Sequence, residues 1–539
     1  MRNRKTALPA KKRILRAMPA ALASLSLLAG TLRITGIRIA ADSGESALSA
    51  VSEAAEAPAD SAAGNHLPPA GTDKVTLRVC NWEEYIDLGD WSEEDTIDLP
   101  SGDIFGENSM VDDFETWYRE TYGVDVEVEY STFGTNEDLY NMLTLGDEYD
   151  IVCPSEYMFM KLMAEDMLVP LSDTFFDEKD SLNYYVKGVS PYIREVFDSH
   201  QIGGEKWSRY AAGYMWGVTG IVYNPEYLTE EEASTWKVLA DPDYSRQVTI
   251  KDNVRDSYFA ALGALKSDLL TDPSFISAPD YRQRLEEEMN DVSPDTIALV
   301  QDYLQDIKDN VYSFETDSGK ADMITGKVLA NYQWSGDAVY TMDQADEDDF
   351  TLCFAVPEES TNIYFDAWVM LKKGIGSDAA KQHAAEAFIN FCSRPDNVIR
   401  NMYYIGYTSV ISGGDDGRIF EYVDWNFGAE EDEENTISYP LGYFFSDDPG
   451  DEAYILTVPK EQRQRQLFAQ YPSEKSIRRS SIMVYFDADK NDAINQMWIN
   501  VRCFNIKDVP VWAWVLTAAL LAVPAALWLR KKERRSFTG

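Results

Sequence analysis

Between residues 75 and 163 the apolar positions change period several times. VTLRVC at 75–80 is a short apolar run, VDVEVEY at 124–130 alternates, and DIVCP at 150–154 is a third run closed by proline, so all three read as strands. MVDDFETWYRETYG, residues 136–145 and residues 157–163 read as helices set between and after them. Strand, helix, strand, helix, strand is the order of βαβ units and predicts a parallel sheet. Ligands of such open sheets sit beyond the carboxyl ends of the strands. The loops starting at Asn81, Ser131 and Ser155 are therefore the expected contact points, and they carry Trp82, Glu83, Glu84 and Tyr85, then Phe133 and Glu137, then Glu156 and Tyr157.

Further along, GYMWGVTGIVYN at 213–224 is an apolar strand broken by glycines, and YFDAWVMLKKG at 364–374 is a second run of the same kind. Each is a candidate crossing between lobes, and two crossings imply two lobes hinged around a cleft. Helix is predicted over 257–270 and, as one long acidic element, over 281–309, with another strand at 327–334.

The ends decide the compartment. Residues 1–38 carry nine bases and no acid around an apolar run at 17–32, the layout of a secretory signal. Thr31 stands where a lipid-bearing cysteine would have to be, so lipid anchoring there is excluded. Residues 41–73 have the Ala, Ser, Glu, Pro and Gly composition of a disordered tether. Residues 509–529 form an uncharged run of 21. At about 1.5 Å per residue such a run spans a hydrocarbon core of about 30 Å. Arg530, Lys531, Lys532, Arg534 and Arg535 follow at once and hold the tail cytoplasmic. The predicted topology is a body outside the cell membrane, on its extracellular or periplasmic side, one C-terminal transmembrane helix at 509–529, and a basic cytoplasmic tail at 530–539.

Charge narrows the partners. With 48 Lys and Arg against 92 Asp and Glu, the net charge of −44 excludes nucleic acid as the main partner. His66, His200 and His383 lie far apart and the five cysteines form no C-x-x-C pair, so neither zinc nor thioredoxin-like chemistry is supported, and no metal or cofactor is implied. DADKND at 487–492 has the start of a calcium loop, but Asp492 stands where glycine is required and Trp498 where glutamate is required, so it is rejected as an EF-hand.

Eight strings occur in order over residues 75–412: CNWEEYI, YSTFGTNEDLYNML, YDIVCPSEYMFMKLM, GYMWGVTGIVYN, IKDNVRDSYFAALGALKSD, ANYQWSGDAVY, YFDAWVML and NFCSRPDNVIRNMYYIGY. Together they resemble the spermidine/putrescine-binding proteins of ABC transporters. The resemblance implies an α/β, two-lobed type II periplasmic-binding-protein fold with a central hinge and cleft, which closes on a linear polyamine and hands it to permease subunits. Residues 1–40 are then a secretory signal or N-terminal anchor, lobe 1 covers 74–222 with 367–405, and lobe 2 covers 223–366 with 406–508.

A polyamine is a string of ammonium groups separated by methylenes, so its site needs carboxylates for the charges and flat aromatic walls for the hydrocarbon. Carried over by motif, Trp82, Glu84 and Tyr85 fall on the family's first binding loop, and Ser155 and Tyr157 on its second. In DNVRDSYF the family has two acids separated by two residues; here the positions are Asn253 and Asp256, an amide replacing the first acid. Trp334 matches the stacking tryptophan, Tyr364 stands where tryptophan is commoner, and Asp366 is the foremost candidate for an ammonium partner. The chain is thus expected to bind without turnover. A receptor or sensor for another small solute on the same fold stays open, and a glycosidase-like use of paired acids has no separate nucleophile signature to support it. The insertion at 87–109 beside the first binding loop is either a cover for the cleft or plain surface.

Overall fold

The computed structural model describes residues 67–413, 417–430 and 432–504. The signal at 1–40, most of the tether at 41–73, the span at 509–529 and the tail at 530–539 lie outside the described residues. Among the described residues, no helix is long and apolar enough to cross a membrane.

One mixed sheet of 12 strands organises the body. Eight strands form its path: β1 (Lys74–Trp82), β2 (Asp125–Phe133), β3 (Ile151–Val152), β4 (Ala211–Tyr223), β5 (Val248–Lys251), β6 (Ser313–Glu315), β7 (Ala330–Trp334) and β8 (Thr361–Leu371). Their spatial order is β2-β1-β3-β8-β4-β7-β5-β6. β1 pairs in parallel with β2 from Lys74 and Asp125 to Trp82 and Phe133, and with β3 through Val79 and Ile151. β5 pairs in parallel with both β6 and β7. The parallel sheet expected from the βαβ order therefore holds within each half. The middle departs from it, because β8 pairs antiparallel with β3 and β4, and β4 antiparallel with β7. Every residue of β4 and β8 is buried, as a strand covered on both faces requires, and this is why their sequences read as largely apolar runs.

The predicted long helix over 281–309 is two helices, Tyr281–Met289 and Pro294–Asn310. Pro294 has no N–H to continue the first helix, and Ser293 starts the second by accepting from the amide of Thr296. The last described helix, Ala488–Cys503, lies along Pro294–Asn310, where Lys308 donates to the carbonyl of Val501 at 2.6 Å. Buried apolar residues between 419 and 482 join the larger core, whereas Phe486, Ile494, Met497 and Val501 join a smaller one with Val300 and Leu304.

The insertion at 87–109 is fixed by buried charge. Asp87 is fully buried and accepts from the amide of Gly89 at 2.7 Å and from Trp91 Nε1 at 3.2 Å. Arg400, also buried, pairs with Asp87, with Asp113 at 2.6 Å, and with the carbonyl of Asn108. Trp91 in turn packs on Tyr403, their ring centres 5.1 Å apart. Removing one member of a buried ion pair strands the other charge and costs about 3–5 kcal/mol. Arg400→Ala is therefore expected to lower the unfolding free energy by about that amount, measured by denaturant titration; a loss under about 1 kcal/mol would show that the insertion is held by packing alone.

Candidate ligand-binding site

A cavity of about 1020 Å³ opens at the carboxyl ends of β1, β3 and β7, and all ten residues singled out from the sequence line it: Trp82, Glu84, Tyr85, Ser155, Tyr157, Asn253, Asp256, Trp334, Tyr364 and Asp366. Five residues of the insertion, Leu88, Gly89, Asp90, Trp91 and Asp95, line it as well.

Asp366 owes its position to an irregularity in β8. The β8–β4 register slips between Asp366 and Ala367, Asp366 standing opposite Met215 and Ala367 opposite Gly213, and Ser155 forms an isolated bridge with Asp366. A bulge of this kind bends a strand and re-aims the side chain beside it. The Asp366 carboxylate accepts from Tyr85 OH at 2.6 Å and Ser155 Oγ at 2.7 Å, and only 5% of the residue is exposed. Among the described residues no cation pairs with it. Burial pushes its pKa up to about 6, against the opposing effect of the two hydroxyl donors.

The same end is walled by rings. Tyr85 stands edge-on to Tyr407 and Tyr214, at centroid distances of 4.8 and 5.6 Å, and Tyr214 OH donates to the Tyr85 carbonyl. Trp82 packs on Phe133 at 4.7 Å. Glu84 is exposed on the rim, with a left-handed backbone at φ 53°. Tyr364 lies opposite Gly217, where a side chain would collide with the Tyr364 ring and with Ser335 Oγ, so this approach requires glycine. Tyr157, in the first turn of helix Glu156–Ala164, donates to Glu137 at 3.1 Å. Glu156 is fully buried and accepts from the amide of Phe365 at 3.0 Å; burial pushes its pKa up to about 8 despite that donor, leaving it largely protonated at neutral pH.

The other end differs in charge. Asn253 caps helix Val254–Leu265, its side-chain oxygen accepting from the amides of Arg255 and Asp256 at 2.8 and 3.2 Å, which commits that oxygen to the fold. Asp256 is buried and its pKa is pushed up to about 6 by burial, with Lys251 opposing. Lys251 Nζ stands 4.0 Å from the centre of the Trp334 ring and 3.6 Å from Asp337. Lys320 lies 3.5 Å from Asp337 and 2.7 Å from Asp317. Burial alone would raise Asp337, but Lys320 and Lys251 outweigh it and hold the carboxyl below its ordinary value. Arg255 is sandwiched between Tyr157 and Phe486, at 4.6 and 4.1 Å.

Sequence reasoning assigned no role to Lys251, Arg255, Lys320, Asp337 or Tyr407. Four of them lie inside the quoted strings, Lys251 and Arg255 in IKDNVRD, Asp337 three residues after Trp334, and Tyr407 in the last string. What no spacing discloses is that they face one another across the chain. Lys320 belongs to helix Ser318–Ile324, which carries no motif.

The fold and this cleft define a class of protein that holds a small solute between two lobes. The family model described as bacterial extracellular solute-binding protein matches residues 109–418, more than half of the chain, and the chain belongs to that family. Its relatives include the spermidine/putrescine-binding periplasmic protein of Salmonella typhimurium, 25% identical over 339 residues that cover 62% of this chain and 78% of that protein. They also include the putrescine-binding periplasmic protein PotF of Escherichia coli, 23% identical over 350 residues, with 62% and 78% covered. Among solved structures, the spermidine/putrescine ABC transporter substrate-binding protein PotD from Streptococcus pneumoniae superposes with a TM-score of 0.50 at 22% identity, covering 80% of this chain and 99% of that one. The Tp0655 (TpPotD) lipoprotein of Treponema pallidum does so with a TM-score of 0.52 at 18% identity, covering 80% and 100%. These structural likenesses show a shared two-lobed fold.

A pKa near 6 in the folded chain, against an ordinary aspartate value near 4, means that ionising Asp366 costs stability. The cost is about 0.5 kcal/mol at pH 4, grows as pH rises through 6, and is complete about a unit above it, reaching about 3 kcal/mol. Asp366→Asn, which keeps the shape and removes the charge, is accordingly expected to stabilise the unliganded protein by about 1–3 kcal/mol at pH 7.5 and by no more than about 0.5 kcal/mol at pH 4, read by denaturant unfolding at both values. Equal effects at the two pH values would overturn this account of the carboxylate.

Proposed function

We propose that this chain is the extracellular substrate-binding component of a polyamine ABC transporter, capturing putrescine or spermidine between its lobes and delivering it to permease subunits without chemical turnover. The observation that carries the reading is Asp366, a buried carboxylate with two hydroxyl donors and no cation among the described residues, set between the aromatic walls of Tyr85, Trp82 and Tyr364. An ammonium group supplies the missing charge, and the rings accept the methylenes and add cation–π attraction of about 0.5–2 kcal/mol each. Membership of the solute-binding family and the names of the polyamine-binding relatives support the same reading.

The lobes in this reading are 74–222 with 367–405 and 223–366 with 406–508, and β4 and β8 carry the crossings. The ten residues named above form the binding site. Residues 1–40 direct export, and the uncharged run at 509–529 followed by the basic tail holds the body at the outer face of the cell membrane. A sugar or other neutral solute would call for uncharged hydrogen-bonding groups where Asp366 and Asp256 stand, which is why a receptor or sensor for such a solute is the weaker alternative.

Calorimetric titration of the protein with putrescine, spermidine and spermine at pH 7.5, with maltose as control, is expected to give one-to-one binding of a polyamine at micromolar strength or tighter. Asp366→Asn should weaken it roughly a hundredfold, the worth of a charge-assisted contact of about 2–3 kcal/mol. Affinity should also fall as pH drops below about 6, because Asp366 must be ionised to hold an ammonium. Silence with all three amines in a folded sample would overturn the polyamine reading.

A further inference from the structure

The two ends of the cleft differ in the charge they leave for a ligand. At the Asp366 end a buried carboxylate meets only hydroxyl donors. The Trp334 end already contains the protein's own cations. Lys251, 1% exposed, places Nζ 4.0 Å from the centre of the Trp334 ring, donates to the carbonyl of Thr316 at 2.8 Å and lies 3.6 Å from Asp337. Lys320 and Arg255 line the cavity beside it. Three cations, Lys251, Arg255 and Lys320, thus share one region with three acids, Asp256, Asp317 and Asp337. Glu137 also acts on Arg255 and Asp252 pairs with Arg502, so the acids of that region have cations of the protein beside them before any ligand arrives.

We infer that Lys251 is a specificity-determining residue that sets the number of ammonium groups the cleft accepts, favouring a diamine over a triamine. This inference rests on the polyamine reading. One face of Trp334 already carries an ammonium group, and a ligand ammonium brought to the opposite face would be repelled through the ring by a like charge held in place by Asp337 and Thr316. The first ammonium of a diamine pairs with Asp366. Its second is left at the exposed rim, where Glu83 and Glu84 line the cavity and water shares its solvation. A triamine of the spermidine type has a further charge, which must come to the lysine-bearing end or lie unpaired. The replacement of an acid by Asn253 at the same end works in the same direction, since the Asn253 oxygen is turned to cap its helix.

The test is a paired titration of the full-length chain in detergent with 1,4-diaminobutane and spermidine, for the wild type, Lys251→Met and Lys251→Arg, with thermal unfolding as a check on folding. The wild type is expected to prefer the diamine at least tenfold. Lys251→Met, which keeps the length and removes the charge, should reduce that preference at least tenfold by strengthening spermidine binding, while Lys251→Arg keeps it. Should Lys251→Met fail to fold, Lys320→Met removes a cation from the same cluster and should shift the preference in the same direction. Spermidine binding to the wild type as tightly as the diamine, or a preference unchanged in a folded charge-removing variant, would overturn the inference and leave the polyamine reading standing. Absence of binding by both amines would overturn that reading first.

Discussion

A carboxylate taken out of water has to find its charge elsewhere, and at Asp366 the described residues supply only two hydroxyl groups. Much of the surrounding structure follows from holding that group in place. The bulge in β8 turns it towards the cavity, the loop after β1 brings Tyr85, the turn after β3 brings Ser155, and Gly217 on β4 leaves room for Tyr364 beside it. A site with an uncompensated buried charge is less stable than the same site with a neutral amide, so stability is traded for attraction towards a cation.

The opposite end of the cleft solves the same problem internally. Asp337 and Asp256 are also buried acids, but Lys251 and Lys320 stand beside them, so one of the two is held below its ordinary pKa and the other is raised less than burial alone would raise it. Charge on a cleft wall therefore cannot be read as a count of acids. In a chain whose acids outnumber its bases almost two to one, three of the bases are gathered at this one place. The arrangement leaves a buried carboxylate without a partner cation among the described residues at the Asp366 end and acids paired with cations at the other.

The insertion at 87–109 extends this cleft. Its attachment through Arg400 to Asp87 and Asp113 is a buried, hydrogen-bonded network, which fixes geometry better than it adds stability. The network sets Trp91 against Tyr403 and brings Leu88 and Asp90 to the cavity wall, so the insertion belongs to the cleft and is more than surface decoration. The last described helix, Ala488–Cys503, closes the smaller core against Pro294–Asn310.

The sequence by itself determined the strand and helix order of the first half, the two long, largely apolar strands β4 and β8, the acidic character of the chain, and ten of the residues that line the cavity. These were legible because buried strands leave largely apolar runs, helices and strands leave periods of 3.6 and 2, and several of the cavity-lining residues sit at or just beyond strand ends inside strings of a known pattern. The break of the acidic helix at Pro294 was legible in principle, since proline in that register cannot continue a helix. Tertiary structure alone decided which acids meet cations. Lys251 and Asp337 are 86 positions apart, Asp87 and Arg400 are 313 apart, and Tyr85 and Asp366 are 281 apart. No local period links such residues, because their proximity depends on how β4 and β8 pair and where their register slips, and one residue of slippage turns a side chain to the other face of the sheet.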